Sequence, residues 1–312
     1  MSNTEYLYAR NVYGQTLVEL GKKDPQVVVC DSDLSGSTRT SLFAKEFPER
    51  FFNFGVAEQN MMATAAGLAA SGKIVFVSTF AMFATARALD QVRNSICYND
   101  FNVKIVATHG GITVGEDGAS HQAIEDIAFF RPIANMKIIV PCDGPEARSA
   151  VCAAYETPGP CYVRLGRSKI ATLPDKTDFI LGKGYVLREG KDVAIIACGT
   201  MVEKALAACD QLKDKKISAT VANIHTIKPI DKELIIDLAK KHKAILVCEE
   251  HQVTGGLYST VSEIVVANHP VKTIGIGVQD RFGQSGSPAD LMEAYGLSAK
   301  EIVSKAQDIL LD

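Results

Sequence analysis

The sequence predicts an α/β protein built from two tandem open α/β domains. Short apolar runs alternate with helical patterns along the chain, which is typical of βαβ units around a mainly parallel sheet. The chain has 312 residues, and single hydrophobic cores stop growing at roughly 250–300 residues, so we expect two domains. One charged stretch containing Pro and Gly interrupts the alternation. We therefore predict a first domain at 1–168, a linker at 169–190 and a second domain at 191–312.

Apolar runs rich in Val and Ile predict strands that are buried on both faces of a sheet. In the first domain these runs are Val27–Cys30, Ile74–Ser78, Val103–Ala107, Lys137–Val140 and Cys161–Leu165. The helical patterns between them are Tyr6–Leu20, Ala57–Ala70, Phe83–Cys97 and Pro145–Tyr155. The aromatic run Phe51–Phe54 predicts one more short, buried strand. In the second domain the predicted strands are Val193–Ala197, Ile217–Val221, Ala244–Val247 and Val271–Ile276, and the predicted helices are Met201–Leu212, Lys232–Lys241, Gly256–Val266 and Ala299–Leu310.

The composition excludes several classes of function. Lys and Arg number 33 against 36 Asp and Glu, a net charge of −3 that leaves no electrostatic footprint for nucleic acid. No apolar stretch is long enough to span a membrane, and the polar start Met1–Glu5 lacks the apolar core of a secretory signal. The eight cysteines include no C-x-x-C pair and several lie in apolar strands, which is typical of a reducing compartment. We expect a cytoplasmic protein.

Glu58 lies at a predicted strand-to-helix junction. A Glu in a first helical turn is most often a solvated group that complements the helix dipole. Here the aromatic run Phe51–Phe54 precedes it, and a helix of small and apolar residues follows it. We therefore expect dry surroundings that keep this carboxyl protonated near neutral pH, so that it can act as a proton donor.

The loop at 107–121 follows a predicted buried strand, so it leaves the carboxyl end of the sheet, where open α/β folds bind ligands. Four glycines allow its backbone to approach a ligand closely. His109, Glu116, Asp117 and His121 crowd into it, which favours a ligand site over a solvated loop. Metal binding is disfavoured, because the two histidines lack the i,i+4 spacing and the cysteines of common zinc sites.

Two further segments carry weaker signals. The loop Asp31–Arg39 follows the first strand, and its Ser, Asp and Gly suit either a ligand loop or ordinary turns and helix caps. Phe80 and Phe83 lie three residues apart and could form one aromatic face, although alone they would be core residues. No G-x-G-x-x-G, Walker A or G-x-S-x-G sequence occurs, so the fold class alone predicts neither a dinucleotide-binding protein, an NTPase nor an α/β-hydrolase.

Taken in order, these segments resemble the C-terminal half of transketolase over essentially the whole chain. The half comprises the pyrimidine-binding domain followed by the C-terminal domain. The motifs that carry the resemblance are Asp31–Ser37, Phe54–Met61, Ser78–Phe80, Ala107–His109, Gly115–Gln122 and Leu165–Arg167. Several ordered matches are far more specific than any single motif.

The resemblance also implies a missing part. The family carries a Gly-Asp-Gly segment with a downstream Asn that binds the metal holding the cofactor diphosphate. The nearest approaches here, Asp143–Gly144 and Glu116–Gly118, have the wrong context. We therefore expect no metal ligand on this chain and a separate N-terminal transketolase subunit that supplies the Mg²⁺ or Ca²⁺ site, in an α2β2 heterotetramer.

The implied cofactor is thiamine diphosphate, and the implied reaction moves a two-carbon glycolaldehyde unit from a ketose phosphate to an aldose phosphate. Glu58 matches the carboxyl that hydrogen-bonds the aminopyrimidine N1′, which favours the imino tautomer that removes the thiazolium C2 proton. Phe80 and Phe83 match the aromatic pocket around the pyrimidine, with Phe83 on its face. Asp33 is expected near the cofactor at the interface. Ala86 stands where some members have a further aromatic residue.

The resemblance also assigns substrate-binding positions. His109, Asp117 and His121 match groups that orient sugar hydroxyls, and the two histidines are also candidates for catalysis. Arg10, Ser37 and Arg167 match positions that hold the substrate phosphate, a role that suits arginine because its planar fork gives bidentate hydrogen bonds. For Arg10 a surface cation on the first helix is the plain alternative. His251 and the segment 280–286 receive no catalytic role.

Other functions compete with this interpretation. 1-Deoxyxylulose-5-phosphate synthase shares the Glu and the phosphate chemistry, but its pattern does not keep the histidine at position 109. The beta subunit of 2-oxo acid dehydrogenases lacks the Gly-Glu-Asp-Gly-x-x-His arrangement. A transketolase that acts on an unusual sugar is also compatible with the sequence. A non-enzymatic assembly protein on the same fold would favour an altered Glu58 or a broken 107–121 loop, and both are intact.

Overall fold

The computed structural model describes residues 5–173 and 178–311 and shows a mixed α/β protein with two main sheets, as the sequence predicts. Its strands, β1 to β14 in chain order, are Tyr6–Tyr8, Val27–Asp31, Phe51–Asn53, Ile74–Ser78, Val103–Ala107, Lys137–Ile139, Cys161–Arg164, Lys169–Ala171, Tyr185–Arg188, Val193–Ala197, Ala219–Asn223, Thr226–Lys228, Ala244–Gln252 and Lys272–Val278. Its α-helices, α1 to α11, are Ala9–Lys23, Ser35–Thr38, Ser41–Glu46, Glu58–Ala70, Asp126–Phe130, Gly144–Glu156, Met201–Asp214, Lys232–Lys241, Leu257–Asn268, Pro288–Ala294 and Ala299–Leu311.

The first sheet has seven strands in the order β12-β6-β7-β5-β4-β2-β3, and all its pairs except β12 with β6 are parallel. Strands β2 and β5 are buried at every residue, because helices cover both faces of the sheet. Parallel strands bring their carboxyl ends to one edge. The loops after β2, β4 and β5 therefore meet at this edge, where open α/β folds bind ligands.

The second sheet has five strands in the order β14-β13-β10-β11-β9, with β9 antiparallel at one edge. The two sheets do not form isolated units. Strand β12 follows the second sheet's β11 in the chain but pairs with β6 of the first sheet. One apolar cluster joins side chains of both sheets, among them Val28, Val77, Ile196 and Val247. The two sheets therefore share one apolar core and are joined at the edge of the first sheet.

The segment predicted as the linker holds two short strands. Strand β8 pairs antiparallel with β1, so Tyr8 lies opposite Lys169. Strand β9 completes the edge of the second sheet. Part of the predicted linker, 174–177, lies outside the described residues. The domain boundaries at 168 and 190 stay a prediction.

Local differences from the predicted elements have identifiable causes. The Phe51–Phe54 run does form a strand, but burial was the wrong expectation: β3 is an edge strand, and its Phe52 is 39% exposed. The predicted helix Phe83–Cys97 is instead two π-helical segments, Phe83–Arg87 and Gln91–Cys97. π-helical turns are rare and frequently mark functional sites. The first of these segments packs against the start of α4, as described below.

Asp143, one of the nearest matches to the missing metal motif, has a structural role in the fold. Its side chain caps α6 by accepting a hydrogen bond from the Glu146 amide at 2.8 Å, and it also accepts one from the Leu173 amide at 2.9 Å. Both bonds use the carboxylate as an anchor for backbone amides, which is ordinary N-cap chemistry.

All eight cysteines are free thiols, and seven of them are buried. This burial agrees with their interpretation as small hydrophobic residues. Within the described residues, none of the helices is long and apolar enough to cross a bilayer.

Candidate functional site

Glu58 is the first residue of α4, and it is 1% exposed although it carries a carboxylate. The dry surroundings that the sequence predicts are therefore present. A charged partner was not predicted from the sequence, however. Nη1 of Arg87 lies 2.9 Å from each of the two Glu58 carboxylate oxygens. In this structure Glu58 is thus one half of an ion pair, and its role as a proton donor stays a prediction.

Arg87 lies at the end of the first π-helical segment, and its guanidinium sits against an aromatic ring. Its Cζ is 4.3 Å from the centre of the Phe83 ring. Gln59, next to Glu58, donates a hydrogen bond from Nε2 to the Arg87 carbonyl at 3.0 Å. The start of α4 and the π-helical segment are therefore joined at two successive residues. The Arg87 guanidinium therefore lies between the Glu58 carboxylate and the Phe83 ring, a position that we call the slot.

Phe80 and Phe83 form a stacked pair with ring centres 5.9 Å apart. Phe80 also stacks on His109, with ring centres only 3.8 Å apart. The sheet produces this contact, because Phe80 and Thr108 form a parallel bridge that extends strands β4 and β5 beyond their ends. The two aromatic residues and His109, which are distant in sequence, therefore line one continuous wall.

His109 adopts a left-handed backbone conformation, with φ at 62°. Non-glycine residues in this region carry strain that is found most often at functional sites. Its Nδ1 lies 2.8 Å from Oγ1 of Thr108. Burial, followed by the charges of Arg10 and Arg167, lowers the pKa of His109 to about 3. His109 is therefore a neutral imidazole at physiological pH, suited to hydrogen bonding rather than to carrying a charge.

His121 joins the same group of rings, at 5.3 Å edge-on from Phe83. It is half-buried, and its Nδ1 lies 2.9 Å from Oγ of Ser120. Asp117 closes a 3-10 helical segment, Ile112–Asp117, and it is exposed. The structure therefore brings His109 and His121 together beside the phenylalanines, and it leaves Asp117 at the open rim.

Asp33 stands two residues beyond strand β2, just as His109 stands two residues beyond β5, and its φ of 63° is also left-handed. Its amide donates to the Asn53 side chain at 3.1 Å, and its own side chain is exposed. The neighbouring Asp31 is the buried carboxylate of this loop, held by the Leu34 amide and by the hydroxyls of Thr38 and Thr40. Asp31 shapes the loop, and Asp33 faces outward from it.

The predicted phosphate-binding residues are brought together beyond this wall. The Arg10 guanidinium donates to the Ser37 carbonyl at 3.3 Å, so Ser37 contacts Arg10 through its backbone. Arg10 and Arg167 line one cavity of about 390 Å³, together with Tyr8, Glu116, Ser168, Lys169 and Pro288. Burial, followed by the charge of Arg39, lowers the pKa of Arg10. Its buried Nε has no hydrogen-bond partner within 5–173 and 178–311. This cavity is suited to an anion.

The sequence analysis did not predict Lys169 and Tyr8 as members of this cavity, and it named Glu116 without predicting its partner. Strand pairing places Lys169 opposite Tyr8, and both Lys169 Nζ and Arg10 Cζ lie over the Tyr8 ring, at 5.3 Å and 5.1 Å from its centre. The Glu116 carboxylate pairs with Nη1 of Arg167 at 2.8 Å. In this stretch the sequence analysis predicted only Leu165–Arg167 as part of the site. Lys169, two residues later, was assigned to the linker. The β1–β8 pairing, which has no clear sequence signal, is what brings it here.

Groups from the second sheet hold the 107–121 loop from behind. Oε1 of Glu250 accepts from the amide and from the hydroxyl of Thr113, each at 2.7 Å, and Oε2 accepts from the Thr200 hydroxyl at 2.8 Å. A Cβ atom at Gly111 would lie 2.1 Å from Glu250 Oε1, and Gly111 has a φ of 91°, so this position requires glycine. The second sheet therefore supports the 107–121 loop through Glu250.

Comparisons with known proteins agree with this arrangement. Residues 6–172 match the transketolase pyrimidine-binding domain, and residues 182–302 match the transketolase C-terminal domain. The chain belongs to the transketolase family. The fold class and the family predicted from the sequence are both confirmed.

Three relatives show which share of a transketolase this chain matches. A protein of Methanocaldococcus jannaschii, provisionally named a transketolase C-terminal section, is 49% identical over 97% of this chain and 96% of its own length. A 6-deoxy-6-sulfo-D-fructose transketolase subunit of a Clostridium species is 40% identical over 97% of this chain and 94% of its own length. The transketolase of Rattus norvegicus is 37% identical, but the match covers 96% of this chain and only 49% of the rat protein.

A solved structure resembles the chain over nearly its full length. It is described as a split gene transketolase in the form of an inactive beta4 tetramer, with a TM-score of 0.90 and 49% sequence identity. The match covers 98% of this chain and 99% of that one.

Proposed function

We propose that this chain is the C-terminal subunit of a two-chain transketolase. In this role it binds thiamine diphosphate with an N-terminal partner subunit and transfers a two-carbon glycolaldehyde unit from a ketose phosphate to an aldose phosphate. The chain covers about half of the single-chain rat transketolase. By the same resemblance to transketolase, we propose that the partner holds the Mg²⁺ or Ca²⁺ site and that the two chains form an α2β2 assembly.

The observation that carries the proposal is the order of chemical groups along the site. A buried carboxylate, Glu58, comes first, followed by the stacked rings of Phe80 and His109, and the cationic cavity around Arg10 and Arg167 lies beyond them. The Arg10 and Arg167 charges act on His109, so the anion cavity lies within electrostatic reach of the ring wall. This order suits a heterocycle at one end, a reacting carbonyl in the middle and a phosphate at the far end.

The residues present fit the aminopyrimidine part of the cofactor. The slot between Glu58 and Phe83 already holds a flat group with N–H donors, the Arg87 guanidinium. A flat pyrimidine ring with a protonated N1′ would likewise present one N–H donor to the Glu58 carboxylate and a face to the Phe83 ring. Bound thiamine diphosphate would supply a nucleophilic carbon, which carries the two-carbon unit between sugars.

The chain's own groups perform the remaining tasks. Glu58 would hydrogen-bond the pyrimidine nitrogen, and Phe83 would cover its face. Neutral His109 and half-buried His121 would donate hydrogen bonds to sugar oxygens or accept them from sugar hydroxyls, while Asp117 would contact hydroxyls from the rim. Arg10 and Arg167 would bind the terminal phosphate with charge-assisted hydrogen bonds, with Ser37 holding Arg10 in place. Asp33 would face the cofactor from the loop after β2.

Adding a partner tests the proposal directly. We expect the purified chain to show no transfer of a two-carbon unit from xylulose 5-phosphate to ribose 5-phosphate. Activity should arise when an N-terminal transketolase subunit, Mg²⁺ and thiamine diphosphate are added together. Full turnover by the chain alone would refute the two-chain arrangement, and absence of turnover with any donor in the assembled complex would refute the reaction.

The anionic group of the substrate suggests a second candidate function, in which the donor is a sulfonated ketose. The Clostridium relative is named for a sulfonated ketose, and the cavity around Arg10, Arg167 and Lys169 would suit a sulfonate as well as a phosphate. The assembled protein should be compared on 6-deoxy-6-sulfofructose and fructose 6-phosphate. A higher kcat/KM for the sulfonate would favour this candidate. Release of carbon dioxide from pyruvate would instead favour a reaction like that of 1-deoxyxylulose-5-phosphate synthase.

A further inference from the structure

We propose that Arg87 is an internal substitute for the cofactor, because it occupies the pyrimidine slot in the partner-free chain and must leave when thiamine diphosphate binds. The inference rests on the proposed function for the identity of the ligand. The contacts of Arg87 stand independently of it.

The guanidinium reproduces the contacts that an aminopyrimidine would make. It is planar, as the ring is, and its N–H group points at both oxygens of Glu58 from 2.9 Å. Its central carbon lies 4.3 Å from the Phe83 ring centre, the distance of a stacked contact. Arginine is the residue that best combines stacking with carboxylate binding. Both features of the proposed pyrimidine site are therefore satisfied by a side chain of the same polypeptide.

Arg87 and the cofactor cannot occupy the slot together. The face of Phe83 accepts one stacked group, and a hydrogen bond from the pyrimidine to Glu58 needs an oxygen at which Arg87 Nη1 now points. Binding of the cofactor therefore requires the Glu58–Arg87 ion pair to open. Because the binding-competent state is reached only after this opening, the ion pair weakens the apparent affinity by the fraction of time that it is closed.

The Arg87 side chain can move away from this contact into solvent, whereas the Glu58 side chain cannot. The Arg87 side chain is 44% exposed, but that of Glu58 is 1% exposed. The Arg87 backbone is fixed to α4 through the Gln59 side chain, so only its flexible outer part has to move. The departing cation returns to water. In the partner-free chain the same contact prevents a buried carboxylate from being left without a counter-charge, which would be strongly unfavourable.

The decisive measurement is the affinity of the assembled two-chain protein for thiamine diphosphate, by calorimetry at fixed Mg²⁺. Arg87→Met keeps an unbranched apolar stem and removes the competing charge. We expect it to bind the cofactor roughly three- to tenfold more tightly than the wild type, because no ion pair has to open. Equal or weaker binding would overturn the inference, since a residue that helps to hold the cofactor would give the opposite sign.

Arg93→Met is the matched control. Arg93 lies one segment further along, and its guanidinium contacts the exposed Asn94 side chain. This variant should bind the cofactor as the wild type does, and a comparable gain in affinity would show that loss of any nearby positive charge suffices, which also overturns the inference. If the wild-type complex fails to bind thiamine diphosphate at all, the proposed function fails together with this inference.

A second measurement uses the chain alone and needs no cofactor. Arg87→Met should lower the melting temperature of the partner-free chain by several degrees, because Glu58 loses its counter-charge. Adding Glu58→Gln to that variant should recover most of the loss, because no buried charge then remains. An unchanged melting temperature in Arg87→Met would show that the ion pair is not formed in solution and would overturn the inference.

Discussion

Two buried glutamates, one in each half of the molecule, both lie at or beside the start of a helix but have different partners. Glu58 begins α4 after strand β3, and Glu249 lies in β13 beside the start of α9. They are 1% and 0% exposed. Glu58 is paired with the half-exposed side chain of Arg87. Glu249 accepts hydrogen bonds from the backbone amides of Leu257 and Tyr258, at 2.7 Å and 2.8 Å.

The difference shows that burial alone does not identify a working carboxylate. Burial raises the pKa of Glu249 to about 7, and a carboxyl with such a pKa would ordinarily be a candidate general acid. Its partners are amides of the first turn of α9, however, and they cannot leave without unwinding the helix. The partner of Glu58 is a flexible side chain that a ligand can replace. We therefore assign Glu249 a structural role and propose Glu58 as the carboxylate that takes part in the chemistry.

Neutralising each glutamate in turn should separate the two roles most strongly. Glu58→Gln should lower kcat for two-carbon transfer by about 10²–10⁴-fold, the usual contribution of a residue that controls proton transfer. Glu249→Gln should leave kcat within a few fold, because its contacts are confined to the fold. Steady-state kinetics of the assembled two-chain protein measures both effects.

Assembly serves as the control for this pair of variants. Size-exclusion chromatography with the partner should show the same complex for Glu58→Gln as for the wild type, so that lost activity is not lost association. Near-normal rates in Glu58→Gln would reject its assignment. A loss in Glu249→Gln as large as that in Glu58→Gln would remove the distinction between the two glutamates.

The same contrast extends to the arginines. Arg167 lines the proposed anion cavity, whereas Arg148 pairs with Glu19 on the surface. Arg167→Gln should raise KM for phosphorylated sugars by roughly 10–100-fold and should change KM for free sugars little, because a hydrogen bond between charged groups contributes about 1.5–3 kcal/mol. Arg148→Gln should change neither value. An equal effect of Arg167→Gln on both kinds of sugar would contradict the phosphate assignment.

Glu249 should reveal its structural role in the pH dependence of stability. Its folded pKa of about 7 lies above the ordinary value of 4.5, so the native state binds the proton more tightly than the unfolded chain does. The resulting stabilisation is complete below about pH 4.5 and is lost as the pH rises through about 7. Between these limits the free energy of unfolding of the wild type should fall, relative to Glu249→Gln, by up to roughly 3 kcal/mol.

The measurement is the difference between urea unfolding of the two proteins across this range. The raw profile of the wild type is not sufficient, because burial lowers the pKa of His251 to about 4. That shift acts in the opposite direction, since its contribution is lost as the pH falls from about 6.5 towards 4. A difference that does not change with pH would mean that the Glu249 carboxyl has an ordinary pKa in the folded protein.

The sequence predicted the repeated βαβ pattern and most strand positions, because strands such as Val193–Ala197 are continuous apolar runs and helices such as the α8 segment Lys232–Lys241 have a helical period. It could not predict pairings between distant segments. The three-residue strands β1, β8 and β12 are too short to show a periodic pattern. They form only because they pair with distant segments of the folded chain. The same limit applied to the site: Glu58 and Phe83 were visible as motifs, but Arg87 and Lys169 are ordinary charged residues until the fold brings them to Glu58 and Tyr8.

The smallest expected effect concerns Glu116. It forms an ion pair with a proposed ligand-binding residue, Arg167, just as Arg87 forms one with Glu58. Its carboxylate pairs with Arg167 at 2.8 Å in the cavity proposed for the substrate anion, and its side chain is 65% exposed. A phosphate would have to compete with this carboxylate, but exposed ion pairs are weak. Glu116→Gln should therefore lower KM for a sugar phosphate by less than about fivefold, with no effect on free sugars. Initial-rate measurements at low ionic strength, where exposed pairs are least screened, give the best resolution. An increase in KM would show that Glu116 orients Arg167 for the substrate and does not compete with it. In that case Arg87 alone, at the pyrimidine end of the site, would be a side chain that a ligand displaces.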